Sequence, residues 1–206
     1  MPKVTDEHRL ARRQQIVRAA RACVTEQGFH KTTMADVIRA SGLSAGAVYG
    51  YFKSKEELIA AIADDGLSTV DQLFDGILAE PGPLSLTETM RKILEYVVGI
   101  ADAPNEDVTR VALQAWAEAL HNPTIAATAR EKYTMLRNHY VDVVRRAQTD
   151  GTLDPDADPE YVAQALFSLL PGFILQRLLL GDVTPDSYLA GLAALLPGPA
   201  SRTAGK

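Results

Sequence analysis

Apolar residues recur along this chain at the three-and-four spacing of helices. No stretch keeps up the strict alternation of a half-buried strand. Residues 9–27 set Ile16, Ala20 and Cys23 on one stripe and Arg9, Arg12 and Arg13 on another face, and Gly28 stops the helix. Helix starts are marked by caps. Ser54–Glu57 and Ser85–Glu88 have capping-box spacing, and Asn122-Pro123, Asp158-Pro159 and Thr184-Pro185 each pair an N-cap with a first-turn proline. Breaks fall at Glu80-Pro81-Gly82-Pro83, at Ala103-Pro104 and over 150–158. The pattern predicts an all-α protein of about nine helices, near 9–27, 33–41, 45–51, 54–79, 86–102, 105–121, 123–149, 158–181 and 185–196. The tail 197–206 is small and polar and is expected to be frayed.

The short elements at 32–53 carry the strongest local signal. Thr33 and Asp36 have capping-box spacing before Val37-Ile38. Ser41-Gly42-Leu43 makes a short turn, and Ser44 caps a second short helix. Two helices joined by a short glycine-containing turn form the helix-turn-helix pattern. At about 100° per residue, Ala47, Val48, Tyr51 and Phe52 fall on one half of the second helix and Ala45, Gly46, Tyr49, Gly50 and Lys53 on the other. The first group is bulky and suited to a core. The second is small apart from one phenol and one ammonium, and suits close approach to a groove.

Charge sharpens that reading. Residues 1–60 hold ten basic and six acidic residues, +4, while the rest of the chain carries −9 within a total of −5. A basic front on an acidic body suggests that the front meets a polyanion. The chain is 206 residues long and 47% hydrophobic, enough to bury a core. One Cys excludes a disulfide framework and a Cys-based zinc site, and Cys23 on the apolar stripe reads as core. No secretory leader is visible. The apolar window 161–180 carries Gln164, Ser168, Gln176, Arg177 and a Pro-Gly pair, which suit a membrane span poorly. The expectation is a cytoplasmic protein with no membrane partner.

Competing chemistry is weaker. Gly42-Leu43-Ser44-Ala45-Gly46 spells the nucleophile elbow of hydrolases, but that elbow needs a strand before the serine, and helix precedes this one. His8, His30, His121 and His139 have no metal-ligand spacing, and Asp154, Asp156 and Asp158 lack the later Gly and Glu of a calcium loop. No catalytic set, metal or cofactor is expected.

The run from Thr32 to Leu58, with the first helix and Gly28-Phe29, resembles the TetR/AcrR family of bacterial transcription regulators over about residues 9–60. The resemblance implies a homodimeric regulator, usually a repressor, that binds a double-stranded DNA operator and a small effector. It implies phosphate contacts for Thr33 and Lys55 and a groove position for Ser44 and Tyr49; Lys53 is a further phosphate candidate from its position. Many members carry a basic residue where Ala35 and Ala45 stand here, and His or Trp where Gly50 stands. Hydrogen-bonding groups for base edges are therefore few. Thymine-methyl contact by Ala45, backbone approach at Gly46 and Gly50, and DNA shape would have to contribute. Two other readings stay in play: a helical protein–protein module that no longer binds DNA, and a hydrolase using Ser44.

The expected domains are 1–53 for DNA and 54–196 for effector binding and dimerisation. The effector site is sought within 86–181, with Tyr96, Trp116, His139, Tyr140, Phe173 and Gln176 as candidates and a largely apolar or aromatic ligand. Core packing is the first reading of each of these aromatics, and pocket lining the second. Pro171-Gly172 should loosen the 158–181 helix beside that site. That helix is apolar around most of its circumference and needs cover on more than one side. Leu166, Leu170, Ile174 and Leu178, with Leu189, Leu192 and Leu196 on the next helix, are the candidate dimer interface.

Overall fold

The computed structural model describes residues 6–102 and 107–195, with backbone alone for 66–68 and 108. Every regular element among them is α-helical: α1 (Asp6–Gln27), α2 (Met34–Ser41), α3 (Ala45–Tyr51), α4 (Lys55–Ala79), α5 (Leu86–Ala101), α6 (Val108–Ala119), α7 (Pro123–Thr149), α8 (Pro159–Leu179) and α9 (Pro185–Leu195). Most ends lie where the caps put them. Asn122 Oδ1 accepts from the amides of Thr124 and Ile125, Asp158 from Glu160 and Tyr161, and Thr184 Oγ1 from Ser187. Two starts differ from expectation by three residues. α1 begins earlier, at Asp6, with Asp6 and Glu7 in its first turn, where the helix dipole favours carboxylates. α6 begins later, at Val108, because Asp107 takes the N-cap and accepts from the amides of Thr109 and Arg110. Leu196 and the tail lie outside the described residues.

The chain divides into two compact units, and α4, α5 and α7 contribute residues to both. The first unit gathers residues up to Phe74 with Val98–Leu136. Its core takes Ile16, Val17, Ala20 and Val24 from α1, Val37 from α2, Val48 from α3, Phe52, Leu58, Ala61 and Ile62 from the start of α4, and Val111 from α6. The start of α4 and Val111 of α6 thus complete a core begun by α1, α2 and α3.

The second unit gathers Asp75–Val97 with the chain from Arg137 on. Tyr140, Val141, Val143, Val144 and Ala147 turn one arc of α7 inward, and Phe173 and Leu189 are buried from α8 and α9. Tyr140 stands edge-on to Phe167, with ring centroids 5.8 Å apart, and Phe173 likewise meets Tyr188 at 5.4 Å. The loop after α4 is pinned by α7. Arg146 donates to the carbonyls of Leu78 (2.9 Å) and Gly82 (3.0 Å) and to Asp150, and Asp150 accepts from the Leu84 amide at 2.9 Å. By length and composition alone α8 is apolar enough to cross a membrane. Its Ala163, Leu166, Phe173 and Ile174 are buried in this unit.

Candidate nucleic-acid interface

Local rules build the α2–α3 unit. Gly28 turns the chain after α1 at φ 84°, a conformation that favours glycine, and its carbonyl accepts from the Thr32 amide and hydroxyl. Thr33 and Asp36 close a full capping box: the Asp36 amide donates to Thr33 Oγ1 and the Thr33 amide donates to Asp36. The Thr33 hydroxyl and amide, as donors to the carboxylate, hold the Asp36 carboxyl below its ordinary range. Gly42 at φ 67° ends α2 with a left-handed cap, and Ser44 caps α3 by accepting from the Ala47 amide at 3.2 Å. Gln15 of α1 donates to the Ser41 carbonyl at 2.7 Å and ties this turn down.

The result is a short helix with one inner and one outer side. Val48 and Phe52 are buried, and Ala47 and Tyr51 are half-buried behind them. Ala45, Gly46, Tyr49, Gly50 and Lys53 are exposed, as are Thr33 and Ser44 at the two caps. A Cβ added at Gly46 or Gly50 would meet no atom within 4 Å. The outer side is therefore bare, apart from the Tyr49 ring.

Two lysines flank it in different states. Lys53 is exposed and donates to the Tyr49 carbonyl at the end of α3. Lys55 is half-buried. Its Nζ donates to the Phe29 carbonyl at 2.9 Å and lies 4.4 Å from the centre of the Phe29 ring. The same turn is held from α6, where Gln114 accepts from the Phe29 amide at 2.8 Å and Glu118 lies 3.1 Å from His30. No local signal reveals Gln114 or Glu118, because they lie some eighty to ninety positions from the turn they hold.

Ser44 is a helix cap with its oxygen on the Ala47 amide, and helix α2 precedes it. No strand occurs among the described residues, so the elbow geometry of a nucleophile is not formed. Among the described residues no group of three or more His, Cys, Asp or Glu could hold a metal ion.

The effector candidates are placed unevenly. Tyr96, His139, Tyr140, Phe173 and Gln176 belong to the second unit, whereas Trp116 belongs to the first, where it packs 6.1 Å from Tyr133. Tyr140 and Phe173 are fully buried in ring-to-ring contacts, and Tyr96 and His139 are half-buried. Gln176 faces outward, with its amide on the Gly172 carbonyl of its own helix. The interface candidates need revision. Leu166, Ile174 and Leu189 are buried inside the protomer and offer no outer surface, while Leu170, Leu178 and Leu192 are half-buried. On α8, its C-cap and α9 the exposed large side chains are instead Tyr161, Leu175, Leu179, Leu180 and Leu195, with Leu179 at 71%.

Comparison with known proteins gives these features a common context. Residues 16–62 match the family described as bacterial regulatory proteins, tetR family, and residues 86–198 match the C-terminal domain of BetI-type transcriptional repressors. The HTH-type transcriptional regulator UidR of Escherichia coli strain K12 is 27% identical over 194 residues, covering 90% of this chain and 91% of that protein. Two solved structures share the fold. A transcriptional regulator from Saccharomonospora viridis in complex with choline has TM-score 0.71 at 20% identity, covering 89% of this chain and 94% of its own. FadR from Bacillus subtilis in complex with stearoyl-CoA has TM-score 0.75 at 16% identity, covering 89% and 98%. With a helix-turn-helix whose outer side is bare and a matching C-terminal half, the chain belongs to the TetR family of bacterial regulatory proteins and is a DNA-binding transcriptional regulator, not an enzyme.

Proposed function

We propose that this regulator is a cytoplasmic, homodimeric repressor that leaves its operator when a small, largely apolar ligand binds the part of the chain beyond residue 53. Residues 1–53 would carry the DNA contacts. The observation behind this reading is the outer side of α3: Ala45, Gly46, Tyr49 and Gly50 are exposed over buried Val48 and Phe52. A helix so backed can enter a major groove, where Thr33, Lys53 and Lys55 would contact phosphate, Ser44 and Tyr49 would lie at the groove, and Ala45 would meet a thymine methyl. The ligand-bound regulators of the same fold support an effector site in 86–181.

The dimer follows from surface chemistry. Tyr161, Leu175 and Leu179 recur along one exposed stripe of α8, and Ala190, Gly191, Ala193, Ala194 and Leu195 leave the outer side of α9 apolar. A two-fold partner covers both stripes and presents two α3 helices to successive half-sites about 34 Å apart. Within α8, Pro171 has no amide hydrogen to donate to the preceding turn, and the Tyr188 hydroxyl donates to the Leu169 carbonyl at 2.9 Å. A ligand acts on this machinery only through its difference in affinity between the DNA-binding and the released state.

Operator retention is the test. The protein should retard random duplex DNA at low salt and select a palindromic site from a randomised library. Failure to retard any DNA at low salt would favour the alternative of a protein–protein module, to which the few base-reading groups on α3 point. Apolar small molecules that change Trp116 emission should also release the DNA. A ligand that changes emission and leaves operator affinity intact would break the proposed switch.

A further inference from the structure

Phe29 follows the end of α1 with both polar groups of its backbone in need of partners. Among the described residues each finds a side chain rather than another backbone group. Its amide donates to Gln114 Oε1 of α6 at 2.8 Å, and its carbonyl accepts from Lys55 Nζ, at the start of α4, at 2.9 Å. An amide N–H can only donate, so the oxygen end of Gln114 must face it. The Phe29 ring is buried with Ile59 of α4 and Ile125 of α7, and Ala119 of α6 packs against them. The same ring faces the Lys55 ammonium, with Nζ 4.4 Å from its centre. On α6, Val111, Gln114 and Glu118 fall at helical spacing on one face. Val111 is set in the core with α1, α2 and α3, and the buried Glu118 lies 3.1 Å from His30 Nε2. Helix α6 therefore grips two consecutive residues of the turn, and the first of them holds Lys55.

We infer that Gln114 is a positioning residue for DNA binding: by fixing Phe29 it fixes the carbonyl and the ring that hold the Lys55 ammonium ready for phosphate. This role rests on the phosphate contact proposed above for Lys55. An ammonium has three N–H donors, and one bond to Phe29 leaves two for phosphate oxygens. A lysine stem already held in one pose gives up less side-chain freedom on binding than a stem free in solvent. Without Gln114 the Phe29 amide loses its acceptor, and Lys55 loses the fixed carbonyl that preorganises it.

The test is a double-mutant cycle on the full-length protein with a random-sequence DNA duplex, because a phosphate contact carries no sequence information. Binding is titrated at several salt concentrations, at a temperature where circular dichroism shows the variants folded. Lys55→Ala should lower the log–log salt slope by about one unit. Gln114→Leu removes the acceptor, and Gln114→Asn sets it a methylene short. Each should weaken binding by about fivefold. In the Lys55→Ala background neither should weaken it further. If Gln114→Leu does not fold, Gln114→Asn carries the same cycle. A loss of equal size with and without Lys55 overturns the assignment, because Gln114 would then only hold up the domain. Lys55→Ala with unchanged affinity and slope would defeat the phosphate contact and the role of Gln114 with it. A Lys55 that matters beside Gln114 variants that bind like wild type defeats the role of Gln114 alone.

Discussion

Glycines at 46 and 50 place two weak helix formers in a helix of seven residues. Each costs roughly 0.5–1 kcal/mol relative to alanine in a helix interior. Inside the protein nothing requires them, since a Cβ at either meets open space. The requirement is then external, in what the helix presses against. Gly46→Ala and Gly50→Ala should each raise the melting temperature by about 1–4 °C and weaken operator binding by about tenfold, near 1.4 kcal/mol. Calorimetry and a binding titration read the two effects on the same samples. A variant that melts higher and binds as well as wild type would free that position from groove contact. The lysines separate in the same way. Lys53 has its ammonium at the exposed end of α3, so Lys53→Ala should lower the log–log salt slope of DNA binding by about one unit and, because its bond to the Tyr49 carbonyl is exposed to water, cost little stability. Lys55 also holds the Phe29 carbonyl, so Lys55→Ala should lower stability as well as affinity. A Lys55 variant with unchanged melting would show that the carbonyl contact contributes nothing.

Caps and loop anchors act at the level of the element. The carboxyl of Asp150 accepts from the Leu84 amide and pairs with Arg146, and both interactions hold it below its ordinary value of 3.8. The sign follows from linkage. A carboxyl whose folded value is depressed contributes its stability above the unfolded value, and that contribution fades as pH falls through the folded one. The second unit should therefore lose stability on acidification below about pH 4, with the loop after α4 loosening first. Asp150→Asn should be less stable at neutral pH and show a flatter acid limb, read by melting temperature against pH. An acid limb of unchanged steepness would assign the loss to other carboxylates. The α2 box makes a parallel case. Thr33→Ala removes the acceptor for the Asp36 amide and should cost about 1 kcal/mol.

For the whole molecule, the exposed apolar surface of α8 and α9 would, in the proposed dimer, decide whether the α3 helices act alone or in pairs. Leu175→Glu with Leu179→Glu places two charges on the exposed stripe and none in the protomer core. The double variant should keep its helical content and sediment as a monomer at micromolar concentration, and it should lose most operator affinity because a single α3 reads one half-site. A variant that remains dimeric would move the interface elsewhere.

The helical course of the chain was legible in the sequence because each cap is a local event, complete within four residues. Thr33 with Asp36, Ser44 with Ala47 and Asp158 with Glu160 need no distant partner. The bare side of α3 was legible for the same reason, since helical angles alone separate Gly46 and Gly50 from Val48 and Phe52. Position among distant neighbours was not. A helix apolar all round bears no mark of its inner side, so only packing could turn Ile174 into the core and leave its neighbour Leu175 outside. Gln114 carries no local mark of the Phe29 amide from which it accepts. Only the tertiary structure brought the two together, because packing depends on what faces a residue across the fold, and the chain carries that information across dozens of positions rather than four.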